Sequence, residues 1–158
     1  MSDRTYQDSL PKKRMGAGAL IFDENGRFLL VNPTYKDPWE VPGGIVEAKE
    51  SPAQACVREV GEELGLDIEL ERLLLVDYLS DSPEKVEALM FIFQGPVLTQ
   101  AEIETIQLPA EELSEYRFCA IEEAVTLLNA RLGRRVRRSL AVMTGNGSVY
   151  VEDQESVF

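Results

Sequence analysis

The chain has 158 residues, 44% of them hydrophobic, which suits one globular domain with a real core. Sixteen basic against twenty-eight acidic residues give a formal net charge of −12, which repels nucleic-acid backbones and anionic membranes, so neither is expected as a partner. Histidine is absent, which excludes Ser-His-Asp and Cys-His catalysis, histidine bases and histidine-rich zinc sites.

Residues 1–13 are polar, with Pro11 and two lysines, and are expected to form a flexible N-terminal arm ahead of a single domain over residues 14–158. Neither a signal-peptide run nor a bilayer-length apolar stretch is found, and the expected location is cytoplasmic. Residues 17–22 and 28–31 read as two strands of a hairpin around Asp23-Glu24-Asn25-Gly26. A loop with two prolines and Tyr35 leads to Trp39-Glu40-Val41-Pro42-Gly43-Gly44, a short extended piece. Ser51-Pro52 then starts a helix, with a capping oxygen and a proline where no N–H is needed, and Gly65 ends it.

On that helix Ala53, Cys56, Val57, Val60 and Leu64 form an apolar stripe able to pack on a sheet. Glu59, Glu62 and Glu63 crowd beside it, and like charges at three- and four-residue spacing repel. Arg58 reaches Glu62 at i+4 but projects away from Glu63, so one arginine does not neutralise all three. A divalent cation does, and carboxylates are the hard oxygen ligands that Mg²⁺ or Mn²⁺ takes in phosphate chemistry.

Beyond the helix, residues 68–79 form a strand around Leu73-Leu74-Leu75-Val76, residues 81–85 a turn, and residues 86–93 a returning strand ended by Gly95-Pro96. Residues 99–115 are acidic and irregular, and residues 116–119 make a brief strand. A helix over residues 121–130 follows, Gly133 interrupts, and a second helix carries Arg131, Arg134, Arg135, Arg137 and Arg138. That cluster reads as a solvated face pairing with acidic surface or with a partner subunit, or as a phosphate-facing patch. Residues 148–151 form a last edge strand. Cys56 and Cys119 are too few for a disulfide framework and read as reduced core residues. Strands on both sides of a central helix, with more helices at the end, predict a mixed sheet covered on both faces.

Gly44, Glu50, Arg58-Glu59-Val60, Glu62-Glu63 and Gly65-Leu66 together resemble the complete Nudix box of the Nudix hydrolases. The diagnostic part covers residues 39–66. The resemblance implies an α/β/α sandwich with a mixed sheet. It also implies a metal-dependent pyrophosphohydrolase that cleaves a phosphoanhydride in a nucleoside diphosphate linked to another group. Both nucleoside triphosphates and ADP-ribose or nucleotide sugars fit that class, and Pro83, 17 residues beyond Leu66, leans only slightly toward ADP-ribose. By resemblance Glu59 and Glu63 are the principal ligands of Mg²⁺ or Mn²⁺, Glu62 contributes directly or through water, and the Gly43 carbonyl completes the set. Glu50 and Arg58 pair to orient these carboxylates, while Gly43 and Gly44 admit backbone close to metal and substrate. Trp39 is core beside the box or a platform for a base. The general base comes from the box or from a later acidic residue, with Glu115 preferred and Glu104, Glu111 and Glu112 behind it. The competing reading is a non-catalytic Nudix domain that senses a nucleotide or binds a partner, and a homodimer is plausible for either.

Overall fold

The structure is a computed structural model that describes residues 2–158. Helix α1 (Asp3–Ser9), capped by Ser2, buries none of its residues. Strands β1 (Arg14–Phe22) and β2 (Phe28–Pro33) flank a turn in which Asp23 accepts from the backbone N–H groups of Asn25 and Arg27. Then come β3 (Gly43–Ile45), α2 (Pro52–Leu64), β4 (Arg72–Leu79), β5 (Ala88–Val97), α3 (Gln100–Ile103), β6 (Leu113–Cys119), α4 (Ile121–Leu127), α5 (Ala130–Val142), β7 (Val149–Glu152) and β8 (Glu155–Ser156).

The strands form one mixed sheet in the order β6-β2-β1-β5-β4-β7-β8, with β3 also paired to β1. The β1–β5 and β4–β7 pairs are parallel and the others antiparallel. Side chains on β1 alternate between two cores. Ala17, Ala19 and Ile21 meet Cys56, Val60 and Leu64 of α2, whereas Leu20 and Phe22 join Ala124 of α4 and Leu132 and Val136 of α5. Both faces of the strand are apolar because both are covered, and the result is the expected α/β/α sandwich.

Four details differ from the sequence reading. The inner face of α2 uses Ala55 in place of Ala53, which is only half-buried. Strand β5 runs through Gly95 and Pro96. Its pairing with β4 starts at Gln94, so Pro96 lies beyond that ladder, where its missing N–H leaves no bond unmade, and a register shift against β1 absorbs the irregularity. The helix break falls at Leu128–Asn129, not at Gly133. Asn129 caps α5 by accepting from Leu132 N–H at 2.8 Å, and Gly133 is buried inside the helix near Val125. Finally, β6 starts at Leu113 and takes in Glu115, and the acidic stretch before it contains α3 under its own capping box.

Candidate active site

Helix α2 holds the acidic residues through its ends. Ser51 accepts from Gln54 N–H, the Gln54 side chain accepts from Ser51 N–H, and Gly65 closes the helix at φ 70°. With its apolar face locked on the sheet, the helix presents Glu59 and Glu63 to β3. Contact there requires glycine. A Cβ on Gly44 would stand 2.5 Å from the Glu59 carboxyl carbon, and one on Gly43 would stand 2.2 Å from the Ala17 carbonyl oxygen, with φ 152° besides. Gly43 N–H donates to Glu63 Oε1 at 2.8 Å.

Arg58 is the local organiser. Its Nε and Nη2 donate to Glu50 at 2.7 and 3.0 Å in a two-pronged pair, and Nη2 also donates to the Ile45 carbonyl at 3.2 Å. Nη1 donates to Glu59 at 2.9 Å and more weakly to Glu62 at 3.3 Å. This hydrogen bonding raises the arginine pKa and, with the Glu47 N–H, holds the Glu50 carboxyl below its ordinary range. Glu63 receives none of this charge. Burial pushes its carboxyl up to about 8 despite the Gly43 N–H, and Glu59, Glu40 and Glu112 push the same way. Burial also raises Glu59, against the pull of Arg58.

The donor chemistry suits a hard divalent cation: two partly desolvated carboxylates one helical turn apart, in a field with excess negative charge. Glu59 and Glu63 are the side chains that could hold it, with the Gly43 backbone beside them. Glu62 turns outward, with its side chain 58% exposed. Among the described residues no three acidic, cysteine or histidine side chains converge as a ready-made ion site.

Glu59, Glu63, Gly43 and Gly44 open onto a cleft of about 540 Å³. Glu112 lines this cleft; Glu115 does not, being an exposed residue of β6 paired in register with Asn32. Trp39 lies outside it as well. The indole is 7% exposed in the core, with the Arg117 guanidinium 4.8 Å from its ring centroid. The family resemblance puts substrate contacts on the loops at residues 32–38, 80–86 and 99–115, and Tyr35, Lys36, Lys85 and Glu112 of those loops line the cleft; Arg14, which also lines it, lies outside them and was not singled out. Tyr35 is an aromatic residue 70% exposed, and its loop position was the one available signal.

The arginine cluster divides three ways. Arg131 and Arg135 face the cleft, Arg134 and Arg138 bind Gln154 and Glu155 at the β7–β8 turn, and Arg137 is exposed on the outer side. Cys56 and Cys119 are buried and unpaired. No helix among the described residues is long and apolar enough to cross a membrane.

Comparison with known proteins places these features in context. The profile of the NUDIX domain matches residues 12–140. The chain is similar to human diphosphoinositol polyphosphate phosphohydrolase 3-alpha, 40% identical over 82 residues that make up 51% of this chain and 50% of the relative. It is also similar to the mRNA-decapping enzyme subunit 2 of Saccharomyces cerevisiae, 38% identical over 78 residues, 49% of this chain but 7% of that one. These matches thus span half or less of the relatives' own lengths. In fold it is similar to the MutT protein of Methanosarcina mazei, with a TM-score of 0.69 at 24% identity, covering 87% of this chain and 100% of that one.

Proposed function

The chain belongs to the NUDIX family, and from that premise we propose that it is a metal-dependent pyrophosphohydrolase acting on a nucleoside diphosphate linked to another group. One observation carries the reading. Glu63 is a buried carboxylate beside a second carboxylate, Glu59, with no cation paired to it among the described residues. A structural role alone gives no reason for that arrangement, since an apolar side chain would serve the core better.

Mg²⁺ or Mn²⁺, when bound, would neutralise phosphate charge and lower the pKa of a water. Glu59, Glu63 and the Gly43 carbonyl are the residues to hold it, with Glu62 turning in or acting through water. Glu50 and Arg58 are positioning residues: Arg58 anchors Glu59 to the β3–α2 connection through Glu50 and Ile45. Gly43 and Gly44 keep the approach to both carboxylates free of side chains. Water attacks one phosphorus, the bond to the bridging oxygen breaks, and a carboxylate accepts the proton. For a base outside the box, Glu112 in the cleft is better placed than the solvent-facing Glu115. Tyr35, an exposed ring at the mouth, offers a face to a base, a role that the buried Trp39 does not fill.

A cytoplasmic location belongs to the same reading, supported by the two buried, unpaired cysteines. Relatives whose names specify a capped mRNA and a diphosphoinositol polyphosphate leave several phosphoanhydride classes open for this chain. Chromatographic product analysis on nucleoside triphosphates, ADP-ribose, nucleotide sugars and dinucleoside polyphosphates tests the proposal. Cleavage of one class that ceases with chelator supports it. Stable substrates throughout the panel, with a folded protein that binds Mg²⁺, would favour a sensing domain.

A further inference from the structure

The cleft has a second charged wall, opposite the box. The first two turns of α5 bring Arg131 and Arg135 to it. Arg135 is 5% exposed; its Nε donates to Asp77 at 2.9 Å, but its Nη2 is buried with no partner among the described residues. Asp77 is shared, because it also accepts from the backbone N–H of Gln154 at 3.0 Å and from Gln154 Nε2 at 2.9 Å. Arg131 is exposed, and among the described residues it has no ion-pair partner within 4 Å. A neighbouring acid, Asp153, is already bound by the Ser80 N–H at 3.0 Å and the Ser80 hydroxyl at 2.6 Å. Lys85 and Arg14 add positive charge at the rim, where the Arg14 side chain, among the described residues, donates to the Val86 carbonyl and makes no ion pair.

Strand register sets the separation of the two walls. Asp77 on β4 pairs with Met90 on β5, Met90 with Gly16 on β1, and Gly16 with Ile45 on β3. Three steps of strand spacing put the anchor of Arg135 roughly 14 Å from β3. Side chains from both walls shorten that backbone separation, and the width left between them accommodates a second phosphate in addition to the anhydride held at the box. The unmatched Nη2 is itself buried, so Arg135 supplies fixed charge and no direct contact, while the exposed Arg131 beside it, unpaired among the described residues, is placed to meet an anion in the cleft.

We propose that Arg131 and Arg135, with Lys85 and Arg14 at the rim, form a subsite for a second phosphate of the substrate, remote from the cleaved anhydride. The proposal rests on the hydrolase reading above and narrows it to substrates carrying such a group. Arg131 makes the direct contact, and Arg135, tied to Asp77, keeps fixed charge behind it.

Two measurements test it. The first compares kcat/KM for ADP-ribose and for ADP-ribose 2′-phosphate, which differ by one remote phosphate. The ratio in favour of the phosphorylated substrate should fall about tenfold in Arg131→Gln and stay at the wild-type value in Arg137→Gln, which lies outside the cleft. An unchanged ratio in Arg131→Gln, or an equal loss in both variants, overturns the subsite. The second titrates inorganic phosphate into the protein by calorimetry. Arg131→Gln should weaken binding about tenfold and Glu63→Gln should not. If wild type cleaves neither substrate, the wider panel above decides the hydrolase reading while the phosphate titration still decides the subsite: binding insensitive to Arg131→Gln, or none at all, overturns it.

Discussion

Glu63 concentrates the conflict in this site at the scale of one residue. Its carboxyl titrates at about 8 in the folded chain against about 4.5 unperturbed, so the folded state holds the proton more tightly than the unfolded one. The stabilising contribution is therefore full below about pH 4.5 and lost as the pH rises through about 8. Glu63→Gln keeps the acceptor for Gly43 N–H and removes the charge. In chelator at pH 8.5 the variant should be more stable than wild type by ~2 kcal/mol, with the gap closing toward pH 5, as followed by urea unfolding at the two pH values. A gap independent of pH would contradict this electrostatic account. Gly44→Ala tests the neighbouring contact. Its Cβ would sit 2.5 Å from the Glu59 carboxyl carbon, so that carboxylate must move. Turnover should drop about a hundredfold or more with little change in melting temperature. A fully active variant would separate Glu59 from the reaction.

Elements explain how such a residue is held in place. Helix α2 was legible because its signals are local: Ser51-Pro52 at one end, Gly65 at the other and an apolar stripe between them. Ser51→Ala removes the cap on Gln54 N–H and should cost about 1 kcal/mol in denaturant midpoint analysis, with the box chemistry intact. The misread elements depend on neighbours. Gly95-Pro96 looks like a stop, yet β1 continues beside it and β4 does not. Gly133 looks like a break, yet it packs inside α5 next to Val125. Asp153 illustrates the same dependence at the β7–β8 turn, where it binds the end of β4. Hydrogen bonds from Ser80 hold its carboxyl below 3.8, so this contribution is present above about pH 3.8 and lost as the pH falls further. Ser80→Ala should weaken stability at pH 7 and flatten its fall below pH 4, measured by thermal unfolding across that range. An unaltered acid limb would mean that the Ser80 contact is energetically silent.

At the scale of the whole molecule, the cleft exists only after the sheet is assembled. Arg14, Tyr35, Lys85, Glu112 and Arg131 come from five separate segments, and the topology that gathers them leaves no mark in local spacing. The box was legible for the opposite reason, since residues 44–66 carry the glycines, the arginine and the carboxylates in one continuous stretch. Asp77 is the central tie, joining β4 to α5 through Arg135 and to the β7–β8 turn through Gln154, all in the buried interior. Asp77→Ala strands the Arg135 charge and should cost ~3–5 kcal/mol by denaturant unfolding. A loss below about 1 kcal/mol would show that water or another group takes over from the aspartate.

Divalent-metal hydrolysis at the carboxylates beside Gly43 and Gly44 is the proposal on which the other residue roles depend. Product formation from the cleaved substrate class, followed in parallel for wild type and Glu63→Gln with Mg²⁺ and with chelator, tests this most directly. Turnover is expected in wild type with Mg²⁺ and in none of the other three arms, with both proteins folded. Near-wild-type turnover in Glu63→Gln, or turnover that survives chelation, would contradict it.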